Sequence, residues 1–149
     1  MTTGDIDRVA AWGALLRVHA AVVPKLEREL SATGLALSWY DVLLELNAAP
    51  GRKLRMSSLG ERVVLSRERV SRVVGELERA GLVRRDPIPD DGRSSFAVLT
   101  PEGRNRLRAA APTYLGGVER HYPSHLSDQE IRVLTRALGR VLAAEEPAS

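Results

Sequence analysis

The stretch "SRERVSRVVGELERAGLVRRDPIPDDGRSSFAVLT", residues 66–100, carries two patterns in succession. In its first half, apolar residues recur at three- and four-residue steps from Val70 to Leu77, which predicts an amphipathic helix. Ser66 stands at the position of a side-chain cap, and Gly81 favours the end of the helix. In its second half, "LVRRD" and "SSFAVLT" flank a tip rich in Pro and Asp, a pattern typical of a β-hairpin.

The residues just before this stretch predict another helix. Ser58 and Glu61 have the spacing of a capping box for a short helix over "LGERVV", and a tight turn around Leu65 follows. A short helix, a tight turn, a second capped helix and a hairpin form the winged helix-turn-helix arrangement. We therefore predict a winged helix-turn-helix over about residues 38–100, with Ser38 as the cap of its first helix.

Long helices flank this core on both sides. Apolar residues at helical spacing predict one amphipathic helix over about residues 5–33, with a kink at Pro24. Residues 101–143 predict two more helices, with a break at Pro112 and a capping box opening the last one. Their apolar stripes exceed what covering a small winged core requires. The predicted fold class is mainly α with a small β-hairpin wing, flanked by N- and C-terminal dimerisation helices.

Composition sets the broad class of the chain. Its 149 residues fit one domain, residues 1–149. The absence of cysteine excludes disulfides and thiolate metal sites. We find no apolar stretch near the roughly 20 residues needed to cross a bilayer, and no secretion signal at the N-terminus. We therefore expect a cytoplasmic protein that does not enter a membrane.

Basic residues are concentrated in one part of the chain. The net charge is +3, but residues 52–85 hold ten basic residues against four acidic ones. Nearly all of them are arginine, which suits bidentate contacts to phosphate and guanine. A preference for arginine codons would explain the ratio of arginine to lysine, but it does not explain the clustering. The clustering indicates a polyanionic partner.

The helix after Ser66 presents these charges on the side away from its apolar stripe. A recognition helix contacts base edges with its N-terminal residues. Arginine can bind guanine or phosphate, glutamate can accept from cytosine N4, and serine can bond to either. Solvated charges on an ordinary surface helix are the alternative, which explains one arginine better than three. The candidate DNA-binding residues of this helix are Ser66, Arg67, Glu68, Arg69, Ser71 and Arg72.

Residues 57–104 resemble the winged helix-turn-helix of the MarR family of bacterial transcriptional regulators. The motifs that carry the resemblance are the Leu65-Ser66 entry, Arg72, the run from Leu77 to Arg85, the Asp91-Gly92-Arg93 wing motif and "LTPEG" from Leu99 to Gly103. The resemblance extends over nearly the whole chain. The sequence departs from the family's usual residues at positions that face DNA, so the resemblance does not carry over an operator sequence. These positions are Glu68, Arg69, Gly75 and Glu76.

The resemblance implies roles for further residues. Arg93 would enter the minor groove of double-stranded DNA, braced by Asp91. The chain would act as a homodimer on a pseudo-palindromic operator, as a repressor released by a small aromatic or phenolic effector. Activation is compatible with the same residues. The tentative effector-binding residues are Trp12, His19, Trp39 and Asp41. The alternative is that the two tryptophans belong to the core and that His19 is an interface residue.

Other classes of function find less support in the sequence. We find no nucleophile with an orienting partner and no phosphate-binding glycine loop, so we expect no enzyme and no cofactor. His121 and His125 have the spacing of helical metal ligands, but Pro123 lies between them and no third ligand follows, so we expect no metal. The alternative function is a winged-helix module for protein–protein interaction without DNA binding. The positive face favours DNA.

Overall fold

The computed structural model describes residues 3–63 and 65–146, with side chains from Arg8 onward. The helices are α1 (Thr3–Ser31), α2 (Leu37–Ala48), α3 (Met56–Arg62), α4 (Arg67–Arg79), α5 (Pro101–His121) and α6 (Asp128–Glu145). The strands are β1 (Lys53–Arg55), β2 (Val83–Ile88) and β3 (Asp91–Leu99), and 3-10 turns lie at Pro50–Arg52 and Pro123–His125. The predicted fold class, mainly α with a small wing, is confirmed.

The chain divides into two compact units. The larger runs from Pro24 to Tyr114 and contains the winged helix-turn-helix. The smaller combines the chain up to Val23 with the chain from Leu115 onward. Helices α1 and α5 each contribute residues to both units. The organisation as one domain over residues 1–149 stays a prediction.

The core of the larger unit forms where α2, α3 and α4 meet. The predicted apolar stripe of α4 is buried, with Val74 and Leu77 fully inaccessible to solvent. Leu43 and Leu46 of α2 and Leu59 of α3 are equally inaccessible. Burial of one such side chain stabilises the fold by about 1.5–3 kcal/mol. This packing fixes which face of α4 is left for solvent.

Helix α4 begins and ends at the residues that the sequence predicts. The Ser66 hydroxyl accepts a hydrogen bond from the backbone N–H of Arg69 at 3.3 Å. At the other end, Gly81 has a φ of +78°, a left-handed conformation that glycine adopts without strain. The N–H of Leu82 then donates to the carbonyl of Leu77 at 2.9 Å, which closes a Schellman motif.

Two other predicted caps are wrong. Helix α2 begins at Leu37 after Ala36, so Ser38 lies inside its first turn. Helix α3 begins at Met56, because β1 runs directly into it through the extended backbone of Arg55. Ser58 therefore lies within α3, where its hydroxyl does not cap the helix. Helix α2 thus begins one residue before Ser38, and helix α3 begins two residues before Ser58.

Proline does not interrupt the long helices. Helix α5 runs without a break through Pro112, so the predicted break is wrong. Helix α1 likewise contains Pro24. A proline removes one N–H donor and crowds one carbonyl, but a long helix can retain its other hydrogen bonds on either side.

The wing is part of a three-stranded antiparallel sheet with β3 in the centre. Strand β1 pairs with β3 so that Arg55 lies opposite Phe96. The sequence did not predict β1, because three residues are too few to show an alternating pattern. The hairpin between β2 and β3 turns at Pro89 and Asp90, and Asp90 has a φ of +67°. Proline followed by a left-handed residue is the pattern of a type II turn.

The end of α4 is tied to the start of α5. The Thr100 hydroxyl donates to the carbonyl of Gly81 at 2.7 Å and accepts from the N–H of Gly103 at 3.0 Å. Gly103 packs so closely here that a Cβ atom would lie 2.1 Å from the carbonyl oxygen of Leu82. These contacts hold the wing hairpin between two helix ends.

In the smaller unit, the capping box of α6 forms as predicted between Ser127 and Glu130. Hydrogen bonds from the Ser127 backbone and side chain lower the pKa of Glu130. No described residue of α6 is buried. Large apolar side chains of this unit stand exposed, including Trp12 at 61%, Val141 at 58% and Leu142 at 67%.

Helix α1 also bears on the membrane prediction. Within its segment Arg8–Ser31, an 18-residue window has a mean hydropathy of 1.3, so by length and composition alone this helix could cross a membrane. The expectation that no stretch approaches this length is therefore wrong, since a few interspersed charges do not remove its average apolarity.

Candidate nucleic-acid interface

The N-terminal half of α4 brings the predicted helix residues together on one exposed surface. Arg67, Arg69 and Arg72 are exposed, as are Glu68 and Ser71 between them. The buried valine stripe of α4 faces the opposite way, which is why these polar side chains point to solvent. The helix N-terminus adds partial positive charge at the same end. The surface therefore attracts anions.

A cleft of about 400 Å³ lies beside this surface, between α3, α4 and the wing. Four elements each contribute one arginine to its lining: Arg55 from β1, Arg67 from α4, Arg85 from β2 and Arg93 from β3. Serine hydroxyls from α3, α4 and β3 line the same cleft, and the described lining includes no acidic side chain. Arginine and hydroxyl groups together are the donors that bind phosphate oxygens in protein–DNA complexes.

Neighbouring groups hold two of these arginines in position. The Arg85 guanidinium donates to the backbone carbonyl of Ser71 at 3.4 Å and lies 3.8 Å from the carboxylate of Glu78. The Arg55 guanidinium lies over the Phe96 ring at 5.9 Å from the ring centre. A cation above an aromatic face is attracted to it. The sheet therefore presents both arginines toward the cleft.

Sequence reasoning missed Arg55 and Arg85. Strand β1 carried no signal of its own, and the place of Arg55 depends on its pairing with β3. Arg85 shares a strand with Arg84, and the sequence does not separate their roles. In the structure Arg84 forms a 2.8 Å ion pair with Asp86 on its own strand, which lowers the pKa of Asp86. Arg85 contacts α4 instead.

The wing motif is ordered through its backbone. The Asp91 carboxylate accepts a hydrogen bond from the backbone N–H of Arg93 at 3.3 Å. The Arg93 side chain is exposed. The aspartate thus shapes the chain that carries Arg93 and leaves its guanidinium available to a partner.

The four tentative effector residues lie in different places. Trp12 and His19 are exposed on α1 within the smaller unit. Trp39 and Asp41 belong to α2 in the larger unit, two positions apart, so they point in different directions. The Trp39 indole donates to the Glu76 carboxylate of α4 at 2.8 Å. Their role in effector binding stays a prediction.

Asp41 is an unusual acid. Burial, and then the nearby charge of Glu45, raise the pKa of its carboxyl to about 6. Close by, the rings of Tyr40 and Tyr114 pack with their centres 4.4 Å apart, and burial raises the pKa of both phenols. Near neutral pH the Asp41 carboxyl is therefore charged, although its partial burial and the charge of Glu45 both favour the neutral form.

For metal binding, the described residues contain no group of three histidine, aspartate or glutamate side chains that could hold an ion. His121 is the last residue of α5 and His125 belongs to the following 3-10 turn, so the two do not share one helix face.

A capped helix with an arginine-rich outer face, an adjoining basic cleft and a two-stranded wing define a winged helix-turn-helix protein with a basic exposed face. A family model described as MarR family matches residues 33–94. The structure is similar to AbsC, a MarR family transcriptional regulator from Streptomyces coelicolor, with a TM-score of 0.84 and 31% identity over 97% of this chain and 95% of that one.

Two further similar proteins are also transcriptional regulators. Sco3205, a MarR family transcriptional regulator from Streptomyces coelicolor crystallised in complex with DNA, has a TM-score of 0.88 and 29% identity over 100% of this chain and 92% of that one. The transcriptional repressor Rv2887 of Mycobacterium tuberculosis is 34% identical over 96 residues, 64% of this chain and 68% of the relative. The chain belongs to the MarR family of transcriptional regulators. Because the relatives are regulators, the expectation that it is not an enzyme is confirmed.

Proposed function

We propose that this protein is a cytoplasmic homodimeric repressor that binds double-stranded DNA at a pseudo-palindromic operator. The observation that carries the proposal is the continuity of the exposed arginines of α4 with the basic cleft. One surface thereby offers groups for base edges and groups for phosphates. DNA-binding proteins need both kinds, because phosphate contacts set the position and base contacts set the sequence.

Each part of the surface has a place in the proposed complex. The N-terminal half of α4 enters the major groove, where Arg69 and Arg72 meet base edges. Arg93 reaches from the wing into the minor groove, whose negative potential attracts arginine. Arg55 and Arg85 in the cleft contact phosphates. The relatives support this reading, since Sco3205 was crystallised in complex with DNA and Rv2887 is named a repressor.

The apolar surface of the smaller unit supports the homodimer. Exposed side chains of α1, α5 and α6, among them Leu16, Leu115 and Leu142, form more apolar surface than a soluble monomer usually leaves open. A second copy covers this surface in the proposal and places two recognition helices on half-sites about 10 bp apart. Light scattering should give twice the 16.3 kDa chain mass, and Leu142→Glu should give monomers. A monomeric wild-type protein at micromolar concentration contradicts the dimer.

The decisive experiment is a fluorescence anisotropy titration on the DNA upstream of the protein's own gene, at two salt concentrations. Arg72→Ala and Arg93→Ala should each weaken binding by about tenfold or more, since a good arginine–base contact contributes about 1–3 kcal/mol. Arg28→Ala is the matched control, because it removes an exposed charge of the same unit that does not belong to the proposed DNA-binding surface. Binding no tighter than to random DNA, and equal in all variants, overturns the proposal for this operator.

A protein-interaction module is the competing function. Such a surface needs an apolar anchor, yet the exposed large apolar residues among the described side chains lie outside α4 and the wing. Selection of bound genomic fragments distinguishes the two functions. If it finds no preferred DNA, and Arg72→Ala and Arg93→Ala bind DNA as wild type does, the protein is a protein-interaction module and not a repressor.

We propose that a phenolic effector releases the repressor from DNA, and that the hydroxyl of this effector donates a hydrogen bond to the Asp41 carboxylate. A half-buried carboxylate with a raised pKa gains more from a hydrogen-bond donor than from a second negative charge, so neutral phenols should bind better than aromatic carboxylates. Calorimetry with phenol–benzoate pairs tests this order, and Asp41→Asn should abolish the preference. Equal binding of both ligand types contradicts the role of Asp41.

A further inference from the structure

A second basic pocket lies in the larger unit, apart from the cleft already described. Its volume is about 190 Å³. Three arginines line it: Arg52 from the turn before β1, and Arg104 and Arg108 from successive turns of α5. Leu99, Thr100 and Pro101 form another part of its wall, and the described lining contains no acidic side chain. Three like charges thus converge in a pocket whose described lining supplies no counter-charge.

The arginines act on one another. Partial desolvation, followed by the charges of Arg108 and Arg52, lowers the pKa of the Arg104 guanidinium. Its Nε atom is buried and has no hydrogen-bond partner in the described part of the chain. A buried donor without a partner is unfavourable, and a guanidinium among like charges is more so. A bound anion would remove both penalties.

Two features of the backbone favour an anion at the same place. Pro101 is the first residue of α5, so the N-terminal end of a 21-residue helix adds partial positive charge to the pocket. Arg52 has a φ of +52°, a left-handed conformation that is strained for a residue with a side chain. Strained residues are concentrated at functional sites, and this one directs an arginine to the pocket wall.

The pocket is distinct from the proposed DNA surface. Both Arg93 in the wing and Leu99 at the pocket lie on β3, six residues apart. At about 3.4 Å per residue, the extended strand separates them by about 20 Å. The Thr100 hydroxyl is already engaged with Gly81 and Gly103, which leaves the three arginines and the Asn105 amide as the side-chain donors of the lining.

We propose that the pocket formed by Arg52, Arg104 and Arg108 binds a small phosphate-type oxyanion, either free or as the phosphate group of a small metabolite. The volume is below the roughly 300–1,000 Å³ typical of pockets for drug-sized ligands, which favours a compact anion. Arginine binds phosphate oxygens through paired hydrogen bonds, and three arginines suit a multiply charged group.

Isothermal titration calorimetry of the full chain with inorganic phosphate and with pyrophosphate, at constant ionic strength, tests the site. Saturable binding of one anion per chain is expected, weakened about tenfold or more by Arg108→Gln, because a charged hydrogen bond contributes at least a factor of ten. Arg28→Gln makes the same charge change at an exposed position of the same unit and should bind as wild type does. Arg104→Gln should also lose phosphate binding. If Arg104→Gln does not fold, Arg108→Gln still tests the site, because Arg108 is exposed.

A thermal measurement supplies a second readout. Without phosphate, Arg108→Gln should melt at a higher temperature than wild type, because it relieves repulsion. With phosphate, wild type should gain stability and Arg108→Gln should not. Absence of phosphate binding to wild type, or equal weakening by Arg28→Gln and Arg108→Gln, overturns the proposal. Loss of DNA affinity in Arg108→Gln without phosphate binding to wild type would instead make the cluster a DNA contact.

Discussion

The indole N–H of Trp39 donates to the carboxylate of Glu76 at 2.8 Å, which joins α2 to the C-terminal half of α4. In the sequence, Glu76 is a departure from the family's usual residue and Trp39 is a tentative effector residue. The bond gives both a structural role, since it holds the recognition helix against α2. A partly buried bond to a charged acceptor contributes about 1.5–3 kcal/mol.

Trp39→Phe should therefore lower the free energy of unfolding by about 1.5–3 kcal/mol, while Glu76→Gln, which keeps an oxygen acceptor, should lower it less. Urea denaturation followed by circular dichroism measures both. In a double-mutant cycle, the effects of Trp39→Phe and Glu76→Ala should be less than additive. Full additivity would show that the two side chains do not interact in solution.

Substitutions at two serines distinguish a helix cap that the structure contains, at Ser66, from one that only the sequence pattern predicted, at Ser58. Ser66→Ala removes the hydroxyl that accepts from Arg69, and it should destabilise the protein by about 1 kcal/mol. Ser58→Ala should change stability little, because that serine lies inside α3 and alanine is a better helix former. Thermal melting of the two variants side by side checks the difference. A larger loss from Ser58→Ala would restore the capping box.

Gly103 tests the close approach of α5 to the end of α4. Gly103→Ala places a methyl group 2.1 Å from the Leu82 carbonyl oxygen, so we expect a loss of about 3 kcal/mol or more. Gly75→Ala is the matched control within a helix of the same unit, where a Cβ atom would meet only the ends of two flexible side chains, Arg79 at 3.6 Å and Arg85 at 4.0 Å. It should stabilise α4 by about 0.5–1 kcal/mol. Similar unfolding curves for both variants would contradict the packing described.

Asp41 makes stability depend on pH. Its folded pKa of about 6 lies above the ordinary 3.8, so the folded state holds the proton more tightly and stability falls as pH rises from about 4 to 6. Asp41→Asn should remove this slope and stabilise the protein at pH 8 by about 1–2 kcal/mol, allowing for solvent screening. Glu45→Gln should reduce the slope without removing it, because burial is the larger cause. Chemical denaturation between pH 4 and 8 measures it. An unchanged slope in Asp41→Asn assigns the effect to another group.

The cleft arginines should act on DNA binding through charge. Arg55→Gln and Arg85→Gln are expected to weaken binding to specific and random DNA alike, and each should reduce the slope of log affinity against log salt by about 0.9. Arg72→Ala should change the preference among sequences instead, since a base contact carries the specificity. Affinity measured at four salt concentrations distinguishes the two. A change of sequence preference in Arg85→Gln would place that residue at a base.

Local patterns were sufficient for much of this fold. The valine stripe of α4, its Ser66 cap and its Gly81 end are properties of neighbouring residues, so the helix and its exposed basic face follow from the sequence alone. The hairpin and the capping box of α6 follow for the same reason. The resemblance to the MarR family rested on these same local motifs and is confirmed by the relatives.

Contacts between distant segments decided the rest. Strand β1 exists because β3 pairs with it, and that pairing both brings Arg55 to the cleft and starts α3 before Ser58. The engagement of Glu76 depends on a residue 37 positions away. The pocket of Arg52, Arg104 and Arg108 likewise joins the turn before β1 to α5. The sequence determined which residues are basic, apolar or helix-forming, and only tertiary packing decided which of them meet, because side-chain contacts are set by the path of the whole chain.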